Sequence, residues 1–163
     1  MNDKLYFAKL RPDAIIPSKR LEDGGYDIYA NFSEEYIEIK PNEIKLIPTG
    51  IATAFSSKYV MLARERGSTG SIGMSLKAGV IDSGYRGEIF IAINNTNRKT
   101  IVIDKRFNKI EEYEEYIHYP YNKAIAQLIM VENPVFDIQE ISYEKLKNIE
   151  SERGLGKLGD SGK

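Results

Sequence analysis

Short apolar and aromatic runs, separated by turn residues, recur along most of the chain. Each run contains Ile, Val, Tyr or Phe and is bounded by Gly, Pro, Asn, Asp or Ser, a pattern typical of β-strands. Strands are predicted over Leu5–Lys9, Tyr26–Ala30, Tyr36–Ile39, Glu43–Ile47, Ile51–Phe55, Tyr59–Ala63, Glu88–Asn94, Thr100–Ile103 and Ile125–Val131. Many short strands at close spacing predict an all-β fold, a jelly-roll-like barrel or sandwich.

Three segments depart from the strand pattern. Ser142–Ile149 predicts a short C-terminal helix, because it opens with a serine that can cap it and a glutamate in the first turn. The segment 104–122 crowds Lys, Glu and Tyr together, which indicates a solvated insertion between two strands, in the form of an extended hairpin. Four glycines lie in 151–163, so this tail is predicted to be flexible when nothing is bound. The β domain is then residues 1–150.

Composition excludes several classes of function. The chain has 163 residues, which suits one domain with a substantial core. Lys and Arg number 23 against 24 for Asp and Glu, so no field for nucleic acid or an anionic membrane is expected. Cysteine is absent, which removes thiolate metal sites. No apolar run is typical of a signal peptide or a membrane span, and a cytoplasmic protein is expected.

The segment from Gly79 to Glu88 contains the clearest candidate chemistry. A short apolar strand ends at Asp82, a Ser-Gly turn follows, Tyr85 presents a ring, and a second strand begins at Glu88. Two strands with a short glycine-bearing connection predict a β-hairpin. Such a hairpin would hold Asp82 and Tyr85 at a fixed separation. Turn formation alone also explains Asp before Ser-Gly, so an ordinary hairpin is an open alternative.

Two further segments suggest a site for an anion. Asp27 lies inside a predicted strand after two glycines, where an acid lowers β propensity, so it faces either a polar cavity or, as the plainer alternative, water at a sheet edge. The loop Arg64–Ser71 combines Arg, Gly and hydroxyl residues, whose forked guanidinium, convergent N–H groups and hydroxyls bind anions. It lacks the Lys-Ser/Thr ending of a P-loop.

Two more segments, nearer the C-terminus, complete the set. Gln127 interrupts the apolar strand Lys123–Ile129, and an amide there needs partners if it is buried. Glycine recurs every two or three residues in Arg153–Lys163, which suits either a flap around a polyanion or a disordered end. His118, the single histidine, lies in the charged insertion and is expected at the surface.

In this order the five segments resemble the motifs of the homotrimeric dUTPase family (deoxyuridine 5'-triphosphate nucleotidohydrolases) over nearly the whole chain. The matching residues are Gly25-Tyr26-Asp27, Arg66-Gly67-Ser68-Thr69-Gly70, Gly79–Gly87, Ile125-Ala126-Gln127 and Arg153–Gly162. The resemblance implies a jelly-roll subunit, a homotrimer with shared active sites, and Mg²⁺-dependent hydrolysis of dUTP to dUMP and pyrophosphate. That reaction clears dUTP from the nucleotide pool and supplies dUMP for dTMP synthesis. Insertions such as 104–122 are similar to those of phage and Gram-positive members.

The resemblance also implies a role for each matching residue. Asp82 orients and deprotonates the attacking water, and Tyr85 packs on the deoxyribose and rejects a ribose 2′-hydroxyl. Asp27 belongs to the outer shell of a magnesium ion held by the triphosphate. The remaining substrate contacts are the uracil-reading segment Gly79, Val80, Ile81, Glu88 and Ile89, the phosphate contacts Arg66, Gly67, Ser68, Thr69 and Gln127, and the closing tail residues Arg153, Leu158 and Ser161.

Three positions depart from the family pattern. Gly67 replaces the first serine of the Arg-Ser loop, so Ser68 and Thr69 are expected to supply the hydroxyl donors. Leu158 replaces the phenylalanine that stacks on uracil, and it can cover the base without stacking on it. Asp160 replaces a hydroxyl residue, and a carboxylate near phosphates is unfavourable unless a cation offsets it.

Two other functions remain open at this level. A dCTP deaminase shares the fold and needs a glutamate general base near the pyrimidine, for which Glu88 is the nearby candidate. A dUTPase-like regulatory protein would engage a protein partner through the insertion 104–122. Hydrolysis is favoured over deamination by the aromatic residue in Asp82-Ser83-Gly84-Tyr85 and by the glycine-rich tail.

Overall fold

β-Strands dominate the computed structural model, which describes residues 4–156 and confirms the predicted all-β class. In chain order the elements are β1 (Tyr6–Lys9), β2 (Tyr26–Ile28), β3 (Tyr36–Ile39), β4 (Ile44–Pro48), β5 (Ile51–Ala54), β6 (Tyr59–Arg64), α1 (Gly67–Gly70), β7 (Met74–Lys77), β8 (Val80–Ile81), β9 (Phe90–Asn95), β10 (Thr100–Asp104), β11 (Glu111–Glu112), β12 (Tyr116–Pro120), β13 (Ala126–Glu132) and α2 (Tyr143–Lys147). The helix α2 confirms the predicted short C-terminal helix, with Ser142 as its N-cap.

The strands form four small sheets around one core. Their orders are β1-β5, β11-β12-β10-β3, β2-β13-β6-β8 and β4-β9-β7. All pairings between these strands are antiparallel except β10 with β12. Isoleucine fills much of the shared interior, where the largest fully buried side chains include Ile28, Ile39, Ile47, Ile91, Ile93, Ile101, Ile103 and Ile117. The four sheets thus enclose one shared apolar interior, a sandwich-like, jelly-roll arrangement.

The predicted hairpin around Asp82 is wrong. β8 pairs with β6, through Val80 opposite Leu62 and Ile81 opposite Met61, whereas β9 pairs with β4 and β7 in another sheet. Eight residues, 82–89, separate the two strands. This connection is longer than a tight hairpin loop. The connection therefore crosses from one sheet to the next.

The insertion 104–122 is a hairpin, as predicted, but its second strand is not solvated. β12 pairs antiparallel with β11 and parallel with β10, and both Ile117 and Tyr119 are buried. His118 is also mostly buried, contrary to the surface position expected: its ring stacks on Phe107 with centroids 4.1 Å apart. The sequence did not reveal that β12 is half-buried, because most residues of the segment 104–122 are charged or polar and face solvent.

The buried end of β10 carries an ion pair. The Asp104 side chain is fully buried and accepts hydrogen bonds from Arg106 Nε at 2.9 Å and Nη2 at 2.7 Å, with His118 Nδ1 3.1 Å away. The Arg106 hydrogen bonds, against the opposing effect of burial, lower the pKa of Asp104 to about 2. Because this pKa lies below its unfolded value, the ionised group stabilises the fold above pH 4 and loses that effect as the pH falls toward 2.

We therefore expect the free energy of unfolding to fall by on the order of 2 kcal/mol through Asp104 alone between pH 5 and pH 2. Urea unfolding at fixed protein concentration, compared between the wild type and Asp104→Asn, measures this contribution. The variant should be less stable at pH 6 and should lose less stability on acidification. Parallel pH curves for the two proteins would contradict this assignment.

The chain after β13 lies on the outside of the subunit. Residues 133–155 are all exposed, although they include large apolar side chains: Val135, Phe136, Ile138, Ile141, Tyr143, Leu146, Ile149 and Leu155. A water-exposed apolar segment of this length is typical of a surface that another molecule covers. Across residues 4–156, none of the helices has the length and apolar content that a membrane crossing requires.

Candidate functional site

A cleft of about 810 Å³ with an excess of basic side chains, the anion cleft, opens at one end of the sheet β2-β13-β6-β8. The sheet register brings its residues together, since Gln127 at the start of β13 lies opposite both Asp27 of β2 and Arg64 at the end of β6. The chain then turns into the loop that begins at Arg66. The cleft is lined by Ser18, Lys19, Arg20, Asp23, Gly24, Gly25, Asp27, Arg66, Gly67, Ser68, Lys123 and Gln127. The fold thus brings together residues of three segments that were selected from the sequence.

Arg66 is held by Asp27. Its Nε and Nη2 donate to the two carboxylate oxygens at 2.8 and 3.1 Å, a forked arrangement that fixes the guanidinium plane. The remaining Nη1 lies 3.4 Å from Ser68 Oγ. Of the two positions predicted for Asp27, a polar cavity or water at a sheet edge, the structure has the cavity. There the carboxylate is the hydrogen-bond partner of Arg66.

Thr69 does not supply a hydroxyl to the cleft, contrary to the prediction. It is fully buried, its Oγ1 accepts from the Arg66 N–H at 2.9 Å, and its hydroxyl donates to the Arg66 carbonyl at 3.1 Å. These bonds close the single helical turn α1. Ser68 and the exposed main chain at Gly67 are left to face the cleft.

Gln127 is fixed by its surroundings. Its Nε2 donates to the Glu65 carbonyl at 2.7 Å, which answers the need of a half-buried amide for partners. Gly25 packs directly against it: a Cβ added at Gly25 would lie 2.7 Å from Gln127 Oε1. Glycine is therefore required at this position by the close approach of the amide, and the two motifs fit together.

Three basic residues of the cleft were not selected as site residues from the sequence, and neither were Ser18 and Asp23. Lys19 and Arg20 come from the loop before β2, and Lys123 precedes β13. These basic residues could have been identified from their position next to two of the selected motifs. They were overlooked because the overall charge of the chain is balanced. Together with Arg66 they outnumber the carboxylates of the cleft, those of Asp23 and Asp27, so the cleft favours anions.

A second, smaller cleft of about 260 Å³ surrounds Asp82 and Tyr85. A hydrogen bond from the Tyr85 N–H to the Asp82 carbonyl, 3.1 Å, closes the turn, and the Tyr85 hydroxyl donates to the Glu88 carbonyl at 2.9 Å. Asp82 is exposed and Tyr85 presents nearly half of its surface. A carboxylate and a flat ring thus stand on a rigid connection, lined further by Ala78, Val80, Ile81, Glu88, Ile89 and Phe90.

Gly79 can only be glycine at this place. A Cβ added there would lie 2.6 Å from the Ala63 carbonyl oxygen, and the Gly79 carbonyl in turn accepts the Ala63 N–H at 2.7 Å. The close approach of these two backbones holds the connection against β6. Val80, the next residue, is exposed on the outer side of β8.

The Glu88 carboxylate serves the fold. It accepts hydrogen bonds from the Arg11 guanidinium and from the Gly50 N–H, the latter at 2.8 Å. Burial acts to raise the pKa of Glu88, but these hydrogen bonds outweigh it and hold the pKa below its usual value. The carboxylate is therefore an anchor of the connection and is not free to contact a nucleobase.

The backbone of Ile89 is also fully engaged, contrary to its predicted role as a uracil contact. Its N–H donates to the Ile51 carbonyl at 2.8 Å, and its carbonyl accepts from Thr49 Oγ1 at 2.6 Å. The side chain is buried. Ile89 supports the cleft wall from behind, since the chain is already entering the next sheet.

The two clefts lie apart within one chain. β8 runs antiparallel to β6, so the chain moves from Leu62 to Met61 along β6 as it approaches Asp82, away from Arg64 and the Arg66 loop. The five residues from Val60 to Arg64 span ~13 Å at the usual rise of a strand, and Arg66 follows beyond. The Asp82–Tyr85 cleft and the Arg66 loop therefore lie in opposite directions along β6.

The tail residues contribute to neither cleft within the described range. Arg153 is exposed and lines neither of the two clefts. Leu158 and Ser161, like Asp160, lie outside the described residues. No group of three or more His, Cys, Asp or Glu side chains with the geometry of a metal site occurs between residues 4 and 156.

Comparison with known proteins gives one consistent result. The dUTPase family model matches residues 12–110. A deoxyuridine 5'-triphosphate nucleotidohydrolase of Clostridioides difficile is 33% identical, with 94% of each chain covered. The enzyme of the same name from Mycolicibacterium gilvum is 30% identical, with 99% of this chain and 97% of that protein covered.

Solved structures share the fold. A mutant dUTPase of Staphylococcus bacteriophage 80alpha with dUpNHpp is 25% identical, with a TM-score of 0.74 over 98% of this chain and 99% of that one. A mutant dUTPase from phage phi11 of S. aureus, described with a structural Mg(II) ion, gives a TM-score of 0.67 at 23% identity over 86% of this chain and 99% of that one. The matching family model and the relatives aligned along nearly their whole length establish that this chain belongs to the dUTPase family.

Proposed function

We propose that this protein hydrolyses dUTP to dUMP and pyrophosphate at active sites built from more than one copy of the chain. The observation that carries the proposal is the separation of two complementary half-sites, the Asp82–Tyr85 cleft and the Arg66–Asp27 anion cleft. A nucleoside triphosphate needs both, and pairing the first cleft of one subunit with the second cleft of another provides them together.

In this reaction Asp82 acts on water. An exposed carboxylate at the end of a strand can orient a water molecule and accept its proton as the water attacks phosphorus. Tyr85 lies three residues away, and its hydroxyl is already bonded to the Glu88 carbonyl. Its ring therefore offers the sugar a flat face with no donor, which suits deoxyribose and excludes a 2′-hydroxyl by contact.

The anion cleft holds the phosphates. Arg66, Ser68 and Gln127 converge there, and attack at phosphorus depends mainly on such positioning and charge neutralisation. Mg²⁺ favours oxygen ligands and is commonly bound by substrate phosphates with few carboxylates. The donor set fits that mode, because the cleft offers only the carboxylates of Asp23 and Asp27 and no multi-carboxylate cage exists in 4–156. When bound, the ion neutralises phosphate charge.

Deamination of dCTP is disfavoured by the state of Glu88. A general base needs a free carboxylate within reach of the reacting water. The Glu88 carboxylate is occupied by Arg11 and the Gly50 N–H, and no other glutamate lines the Asp82–Tyr85 cleft among the described residues. Assaying the purified protein against dUTP, dCTP, dTTP and UTP tests the choice: release of pyrophosphate from dUTP supports hydrolysis, and release of ammonia from dCTP would overturn it.

A homotrimer with shared sites is the assembly we propose. Two apolar surfaces need a cover: the arm 133–155, and the outer face of β4 and β9, where Ile44, Leu46 and Phe90 are each about half exposed or more. A closed ring buries both in every subunit. The arm would also bring the tail with Arg153, Leu158 and Ser161 to a neighbouring subunit, where the family resemblance implies that it closes over the nucleotide.

Light scattering should give a mass of about three times the 18.5 kDa chain mass. Replacing Phe136 and Ile138 of the arm with Ser should weaken the assembly and lower activity together, because the half-sites then separate. Replacing Leu21, an exposed side chain outside both surfaces, is the control. A fully active monomer at micromolar concentration would contradict the shared site.

A regulatory role of the insertion 104–122 is a second candidate, and it is compatible with hydrolysis. Tyr113 and Tyr116 are each 40% exposed or more, and aromatic side chains are enriched in protein interfaces. Neither residue lines the two clefts. A partner that binds this hairpin should therefore lose affinity for Tyr113→Ser while dUTP hydrolysis is retained, and equal loss of both would count against a separate surface.

A further inference from the structure

Among the basic side chains of the anion cleft, Lys123 is the one whose charged group has no acidic or carbonyl partner within residues 4–156. Arg66 is bound by Asp27 and Arg20 by Asp23. The Lys19 ammonium donates to backbone carbonyls, most closely to that of Asp23 at 2.7 Å. Within residues 4–156, Lys123 Nζ has neither a carboxylate nor a carbonyl as partner, and its recorded neighbour is the face of the Tyr119 ring, 6.0 Å from the centroid.

The net positive charge of the cleft comes from its lysine side chains. Two arginines and two carboxylates neutralise one another in pairs. The net positive charge therefore comes from the lysines, of which Lys19 is tied to the loop that it closes. A multiply charged anion can therefore bind the Lys123 ammonium without breaking an ion pair or hydrogen bond that already exists in the cleft.

The backbone that carries Lys123 is fixed. Its N–H donates to the Pro120 carbonyl at 3.1 Å, and the Tyr121 N–H donates to the Asp104 carbonyl at 2.9 Å. The Tyr119 hydroxyl, fully buried, donates to the carbonyl of Ala124, the next residue, at 2.6 Å. Lys123 thus leaves a rigid turn, so holding its side chain in one place costs less ordering of the backbone.

This turn adjoins the Arg66 loop. The Ala124 carbonyl that accepts from Tyr119 also lies 3.5 Å from Arg66 Nη1. Burial raises the pKa of the Tyr119 hydroxyl, and Ser68 and Arg66 lie close enough to oppose that rise. Lys123 therefore stands beside the two loop residues predicted to contact phosphate.

We infer that Lys123 is a phosphate-binding residue of this enzyme, supplied by the turn that directly follows the insertion 104–122 and supported by Tyr119. The inference rests on the proposed function for the identity of the anion, a nucleoside triphosphate. Lysine acts there as a point charge rather than as a fork, so arginine can replace it in charge while its geometry differs. The insertion is thereby joined to the chemistry through β12, although its hairpin tip is remote.

The test measures binding of inorganic tripolyphosphate and of a non-hydrolysable dUTP analogue by calorimetry, using the full-length protein. Lys123→Gln should weaken both by about tenfold to a hundredfold, the range for a hydrogen bond to a charged group. Lys123→Arg should restore most of the affinity. Lys58→Gln is the matched control, since Lys58 precedes the other end of β6 and is outside the cleft; its affinity should equal that of the wild type. Binding of deoxyuridine should be unchanged in every variant.

Two outcomes are kept distinct by this design. Wild-type affinity for tripolyphosphate in a folded Lys123→Gln protein, judged by circular dichroism, would overturn the assignment of Lys123. Failure of the wild type to hydrolyse dUTP would instead overturn the proposed function, and the tripolyphosphate comparison would still decide whether Lys123 binds polyphosphate.

Discussion

Replacing Asp82 with Asn should lower the turnover number for dUTP by about a hundredfold to ten-thousandfold, the usual cost of losing a general base. Nucleotide binding should remain largely intact, because Asn keeps the shape of the side chain and the Asp82 carbonyl still accepts the Tyr85 N–H at 3.1 Å. Steady-state turnover and the dissociation constant of a non-hydrolysable analogue separate the two effects.

The matched control is Asp13→Asn, which removes an exposed carboxylate outside both clefts and should leave turnover unchanged. Asp82→Glu keeps the charge but moves it by one methylene, so it should recover only part of the rate if geometry matters. An Asn variant that turns over dUTP at nearly the normal rate would remove Asp82 from the mechanism.

Loss of Arg66 is expected to have the second largest effect. Arg66→Gln should lower kcat/KM for dUTP by about a hundredfold to a thousandfold, the range for deleting one preorganised donor to a reacting centre. Two causes act together: a positive charge leaves the cleft, and the Asp27 carboxylate loses its forked partner at 2.8 and 3.1 Å. An unpaired carboxylate facing phosphates adds repulsion.

The second cause can be isolated by a double-mutant cycle. If repulsion by Asp27 contributes, Asp27→Asn in the Arg66→Gln background should raise kcat/KM, whereas Asp27→Asn alone should lower it. Arg64→Gln serves as the control, because Arg64 is exposed at the end of β6 and does not line the cleft. An Arg66→Gln enzyme with wild-type kcat/KM would show that the phosphates bind elsewhere.

Much of the fold was predictable because strand formation depends on local pattern. The nine strands expected from apolar and aromatic runs all occur, with ends shifted by a residue or two. β7 was missed, since Met74–Lys77 is short, and β11 and β12 were predicted only as an extended hairpin in a segment whose charges indicate solvent. Burial of Asp104 and His118 depends on partners distant in sequence, so composition predicted the opposite.

The order of residues along the chain by itself determined the fold class, the five motif segments and the choice of Asp82, Arg66 and Gln127 as site residues. Each of these depends on residue type and short spacing, which a sequence displays directly. The tertiary structure decided which strands pair, and pairing β8 with β6 rather than β9 separates Asp82 from the Arg66 loop. It also decided which polar groups are already satisfied: Thr69, Glu88 and Ile89 bond within the fold, whereas Lys123 is left for a ligand. Hydrogen-bond partners and net charge in a cleft are properties of residues brought together from distant segments, and for that reason only the folded chain reveals them.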